Sequence, residues 1–153
     1  AFRHQYLWYN FYLYGQQEKY EAARQSFQRA LEIDDRHFDS WTNLGVMNYH
    51  LKSYRAAEVA FDRALTIRGN APEVLNPLSL VYLAQGKLDL ADSTIDVAIG
   101  LVADQPYFLN NKGLIQIHLG NYELADSLIN RSLTLDSTNE LAKENLKLLK
   151  SKY

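Results

Sequence analysis

The sequence predicts an all-α fold, a right-handed superhelical solenoid of antiparallel helix pairs. Three observations predict it: a period of 34 residues running through most of the chain, a three-and-four spacing of apolar residues inside each period, and short polar turns at repeated offsets. Large apolar residues recur at Leu7, Trp41, Leu75 and Leu109, and again at Ile33, Ile67, Leu101 and Leu135. Small residues recur at Ala23, Ala57, Ala91 and Ala125, and at Ala30, Ala64, Ala98 and Ser132, with Phe27, Phe61, Ile95 and Ile129 between them. A unit of this size cannot bury its apolar face alone, so each unit must stack on the next.

The period divides a single domain over residues 1–153 into four repeats, at about 4–37, 38–71, 72–105 and 106–139, followed by a capping helix at 140–150. In the first unit Phe11 stands where later units carry Gly45 or Gly113, and Gly15 with Gln16 and Gln17 lengthens the turn. The second unit reads as one helix from Trp41 to Leu51 and another from Tyr54 to Ile67. The third and fourth open at Pro72 and Pro106, where a missing N–H is no loss to a helix start. Pro77 lies inside the third unit's first helix and is expected to bend it or displace its start. Gly45 and Gly113 leave room for the second helix of their units to approach at Ala57 and Ala125. In the last segment Lys143, Lys147 and Lys150 take places where a further unit would have core residues, while Leu141, Leu146 and Leu149 pack back on the fourth unit. The start of the chain is aromatic instead: Phe2, Tyr6, Trp8, Tyr9, Phe11, Tyr12 and Tyr14 either line the core and groove of the first unit or form a surface for self-association.

Composition narrows the function. The 153 residues are 47% hydrophobic and 22% charged, the profile of an ordinary globular domain. Lys and Arg number 16 against 18 Asp and Glu, so the basic excess that phosphate-backbone binding demands is missing, and no nucleic-acid partner is expected. No apolar run approaches the roughly 18 residues of a spanning helix, and no leader is visible, so the segment is expected to be soluble without inserting into a membrane. The chain has no Cys and hence neither disulfides nor thiolate chemistry, which leaves its compartment open. There is no phosphate-cradling glycine loop, nucleophile elbow or paired metal-ligand histidines. His50 and His118 share a column two units apart, on the order of 20 Å by helix spacing, too far to share an ion. No catalytic residue, metal or cofactor is therefore assigned, and the protein is read as no enzyme.

From Trp41 through Leu44, Gly45 and Tyr54 to Ala57, Phe61 and Ala64 the chain resembles the tetratricopeptide repeat, a resemblance that covers about Gln5 to Asn139. The proline usual near the end of each unit is replaced by Asp35, Gly69, Ala103 and Ser137. The resemblance implies a concave groove lined by the first helix of each unit. It assigns to that groove Trp8 and Tyr12 with Gln16, then Thr42, Asn43, Val46, Tyr49 and His50, then Asn76, Leu80 and Leu83, and finally Asn110, Asn111, Leu114, Ile117 and His118. Members of the family that hold acidic chaperone tails use a Lys and Arg clamp. Here Trp8, Tyr12, Asn43, Glu73 and Pro77 stand at those positions, which argues against such a tail. The expected role is a non-catalytic protein-interaction scaffold that binds a peptide or helix by apolar side chains. The alternatives are a structural assembly or oligomerisation module, and a docking or regulatory appendage of an enzyme encoded upstream in a longer chain. The Asp-Ser pairs and Asn-rich composition are similar to tetratricopeptide lipoproteins of the bacterial cell envelope.

Overall fold

In a computed structural model, residues 17–153 are described, and they form eight α-helices with no strand among them. The helices are α1 (Gln17–Ile33), α2 (Phe38–His50), α3 (Tyr54–Ile67), α4 (Pro72–Ala84), α5 (Leu88–Leu101), α6 (Pro106–Leu119), α7 (Tyr122–Leu135) and α8 (Glu140–Lys150). The expected first helix of the first unit, with Trp8, Tyr12 and the rest of the aromatic segment, lies outside the described residues.

Local chemistry accounts for where the helices begin and turn. Pro72 and Pro106 occupy the first turn of α4 and α6. Asn139 caps α8 by accepting from the Ala142 amide at 3.2 Å, and at α2 the capping acceptor is the Nδ1 of His37, 3.2 Å from the Ser40 amide. The turns inside the three later pairs place Lys52, Gly86 and Gly120 at φ of 60°, 75° and 83°, the same column in successive units. Glycine adopts that left-handed conformation freely, whereas Lys52 does so against the steric preference of an L side chain. Pro77 neither displaces nor interrupts α4, which starts at Pro72 and continues to Ala84. What the proline removes is one backbone donor, that toward Glu73 one turn earlier.

The helices pack as the hairpins α2–α3, α4–α5 and α6–α7, with α1 on α2 and α8 on α7. Contacts also join α2 to α4, α4 to α6 and α6 to α8, so these four make an inner row. A continuous core runs through the stack from Tyr20 and Phe38 past Phe61 and Ile95 to Phe108 and Ile115. A second cluster, of Ile117, Ala125, Ile129, Ala142 and Leu149, fixes α8 against the last hairpin. On α8 itself Lys143, Lys147 and Lys150 face solvent while Leu149 is enclosed.

The hairpins depend on small residues where their two helices meet. Ala57, Ala91 and Ala125 are all fully enclosed. Gly45 works differently from the expectation that it admits Ala57: a Cβ built on it would stand 2.5 Å from the Phe61 ring, so that ring fills the space. Gly113 admits Ile129 likewise, at 2.7 Å from its Cγ1. Gly100, near the end of α5, has nothing within 4 Å of such a Cβ. The two glycines should therefore respond to alanine with opposite sign. Gly45→Ala is expected to lose about 1–3 kcal/mol by overpacking, and Gly100→Ala to gain about 0.4–1 kcal/mol by restricting the unfolded chain. Urea denaturation of both variants checks this, and equal shifts would place the Phe61 ring elsewhere.

Candidate functional site

Because α2, α4, α6 and α8 stand side by side, their outward faces form one wall, and a groove of about 290 Å³ runs along it. Val46, Tyr49 and His50 line it from α2, and Asn76, Pro77 and Leu80 from α4. Tyr107, Asn110, Asn111 and Leu114 follow from α6, and Leu141, Glu144 and Asn145 from α8. Its volume sits at the lower bound of pockets that enclose whole drug-sized ligands, about 300 Å³.

Eight residues expected in the groove do line it: Val46, Tyr49, His50, Asn76, Leu80, Asn110, Asn111 and Leu114. Thr42 does not, since it is enclosed and its hydroxyl donates to the Phe38 carbonyl at 3.0 Å. Ile117 turns into the cluster that joins α6, α7 and α8. Tyr49 shares a column with Leu83 and Ile117, but its longer side chain reaches the groove while theirs stay out of its wall. Asn43 is half-buried and His118 exposed, and both lie outside the wall. Tyr107, Leu141, Glu144 and Asn145 were not expected there. The period itself carried the signal for two of them, because Glu144 and Asn145 stand 34 residues after Asn110 and Asn111.

The amides of the wall are tied together in a repeated pattern. Asn111 Nδ2 donates to Asn76 Oδ1 at 2.7 Å, and Asn145 Nδ2 donates to Asn110 Oδ1 at 2.9 Å, each across one unit boundary and each spanning 35 residues. At the preceding boundary the equivalent positions hold Thr42 and Pro77, which have no amide to exchange. Asn76, Asn110 and Asn111 are buried and Asn145 half-buried, so only the edges of these amides reach the groove.

Charge is sparse along the groove. Glu73, next to it on α4, is buried and held by Arg68 at 2.7 Å, and the same guanidinium lies 3.8 Å from the centre of the Phe38 ring. His50 stacks on Tyr20 with ring centres 4.7 Å apart and meets Tyr49 edge-on at 5.4 Å. Burial disfavours its charged form and lowers its pKa to about 4, so the ring is neutral at pH 7. Among the described residues no cluster of three or more metal-ligating side chains occurs, and no helix is long and apolar enough to cross a membrane.

A period carried by helix pairs and an inner row that leaves one continuous groove define a helical-repeat solenoid. The tetratricopeptide repeat pattern matches residues 10–72 and 106–139, and the chain belongs to the tetratricopeptide repeat family. It is similar in fold to TTC0263, a thermophilic TPR protein of Thermus thermophilus, with a TM-score of 0.80 at 21% identity over 94% of this chain and 77% of that one. YrrB, described as a TPR protein with an unusual peptide-binding site, gives 0.72 at 22% identity over 85% of this chain and 67% of that one. The first TPR domain of Spaghetti (RPAP3), bound to the HSP90 peptide SRMEEVD, gives 0.69 at 18% identity over 78% and 94%. No curated protein matches the sequence.

The histidine in the groove sets a pH dependence. Unfolded, His50 titrates near its ordinary 6.5, and folded near 4, so between these values the unfolded chain binds more protons and stability rises with pH. The contribution is complete above about 6.5 and is lost as pH falls toward 4. Thermal unfolding of wild type and His50→Phe at pH 7 and pH 5 should show a smaller fall for the variant. An equal fall in both would assign the acid sensitivity to other groups.

Proposed function

We propose that this chain is a non-catalytic protein-interaction scaffold: four repeats, the first at about residues 4–37, and a closing helix at 140–150 present one groove to a peptide or helix bearing apolar side chains. The observation that carries this reading is the groove wall, where the half-buried Tyr49, Leu80 and Leu114 stand beside the paired amides of Asn76, Asn110, Asn111 and Asn145. The apolar surface these three still expose offers burial at about 25 cal/mol per Å², and the amide edges that face the groove offer hydrogen bonds to a backbone. Trp8 and Tyr12 lie outside the described residues, and the resemblance alone assigns them to the same surface. Thr42 and Ile117 are enclosed in the packing of the inner helices rather than offered to the ligand.

An acidic tail is a poor occupant. Position 73, where clamp-bearing relatives need a cation, holds a carboxylate already bound to Arg68, and a second acid brought beside it would meet repulsion and desolvation. Apolar anchors must supply the affinity, since they alone can offset the ordering of a flexible segment.

Selection from a random twelve-residue display library, followed by fluorescence anisotropy on the enriched peptides, tests the reading. Tyr49→Ala and Leu80→Ala are expected to weaken binding about tenfold each, with the thermal transition still cooperative. Peptides that bind both variants as tightly as wild type would move the site to another face.

A further inference from the structure

Glu144 stands in the acceptor column of the amide pattern. In that column Asn76 accepts from Asn111 and Asn110 accepts from Asn145, in each case from an amide 35 residues further on. Glu144 lies 34 residues beyond Asn110 and continues the column on α8, inside the groove. It carries a carboxylate, which only accepts, and among the described residues no side chain donates to it. Lys147, three residues along α8, faces solvent and makes no ion pair with it, and the other cations around the groove are committed elsewhere. Lys143 is bound to Glu140 at 2.8 Å, Arg68 to Glu73 at 2.7 Å, and Lys112 to Asp92 and Asp96. With His50 neutral at pH 7, Glu144 is the one ionised side chain among the described residues lining the groove.

We infer that the occupant of the groove is a segment whose apolar anchors lie along Tyr49, Leu80 and Leu114 and which places a Lys or Arg side chain against Glu144 at the α8 end. The inference rests on the reading of the groove as a peptide site and adds the charge and orientation of its ligand. The carboxylate meets the donor that its column otherwise takes from the protein, and a guanidinium or ammonium supplies it with opposite charge. The amides of Asn110 and Asn145 beside it add no competing positive charge. Polarity follows as well: the cation must sit at one end of the apolar run, so a sequence and its reversal are not equivalent ligands.

Selection from the same random twelve-residue library on wild type, Glu144→Lys and Glu123→Lys tests it. Glu123 is an exposed acid on α7, outside the groove wall and in no ion pair among the described residues, so its variant makes the same charge change at another place. The enriched wild-type peptides, synthesised with both ends blocked, are expected to combine apolar residues with Lys or Arg at a fixed offset and to lose about threefold to tenfold in affinity on Glu144→Lys. The Glu123→Lys variant should bind them as wild type does, and selection on Glu144→Lys should replace the basic position by Asp or Glu. Enriched apolar peptides without a basic position, or an equal loss on both variants, overturn the inference and leave the groove reading intact. Peptides that also ignore Tyr49→Ala and Leu80→Ala, or a library that yields no binder, overturn both.

Discussion

The close approach of the two helices in each hairpin is the constraint on which the rest of the molecule depends. It is set by small residues opposite large ones: Phe61 against Gly45, Ile129 against Gly113, and enclosed alanines at 57, 91 and 125. Protein interiors tolerate little volume change at such contacts. Once the hairpin spacing is set, the inner helices α2, α4, α6 and α8 fall into one row. The groove is what that row leaves uncovered, and its walls are the parts of those helices that no outer helix reaches.

The amide bonds across unit boundaries follow from the same regularity. A pair of asparagines that spans 35 residues can recur one period later only if successive units are related by nearly the same rotation and translation. The bonds in turn fix the register of one inner helix on the next, because a shifted amide would leave polar atoms buried without partners. At the boundary between α2 and α4, Thr42 and Pro77 replace the pair, and that joint is held instead by Arg68, which binds Glu73 and covers Phe38. Packing and polar contacts thus divide the work unevenly along the stack.

Most of the architecture was legible in the sequence because the helices repeat and the repeat averages out local ambiguity. Pro72, Pro106 and the column of Lys52, Gly86 and Gly120 mark boundaries that the structure places within a residue or two. The site was legible in part. Leu80 and Leu114 keep part of their surface in the groove, whereas Val46 of the same column is enclosed in the core, as are Thr42 and Ile117 of the same inner helices. Side-chain length decides between Tyr49 and its equivalents, and a column of positions does not convey length. Glu144 and Asn145 escaped notice because α8 reads by its lysines as a cap, although its other face continues the groove for part of another turn. The role of His37 as a helix cap also has no clear sequence signal, since Ser, Thr, Asp and Asn are the usual acceptors at that place.

On the proposed function, the face formed by the inner row carries the binding. The side-chain amides of Asn76, Asn110, Asn111 and Asn145 are its natural reporters, since side-chain amide ¹H–¹⁵N signals respond to a neighbour within hydrogen-bond distance. Titration of ¹⁵N-labelled protein with a selected peptide should shift these four amide pairs together with the backbone of α2, α4, α6 and α8. Shifts confined to the exposed faces of α3, α5 and α7, with the four asparagine signals unmoved at saturation, would contradict the account.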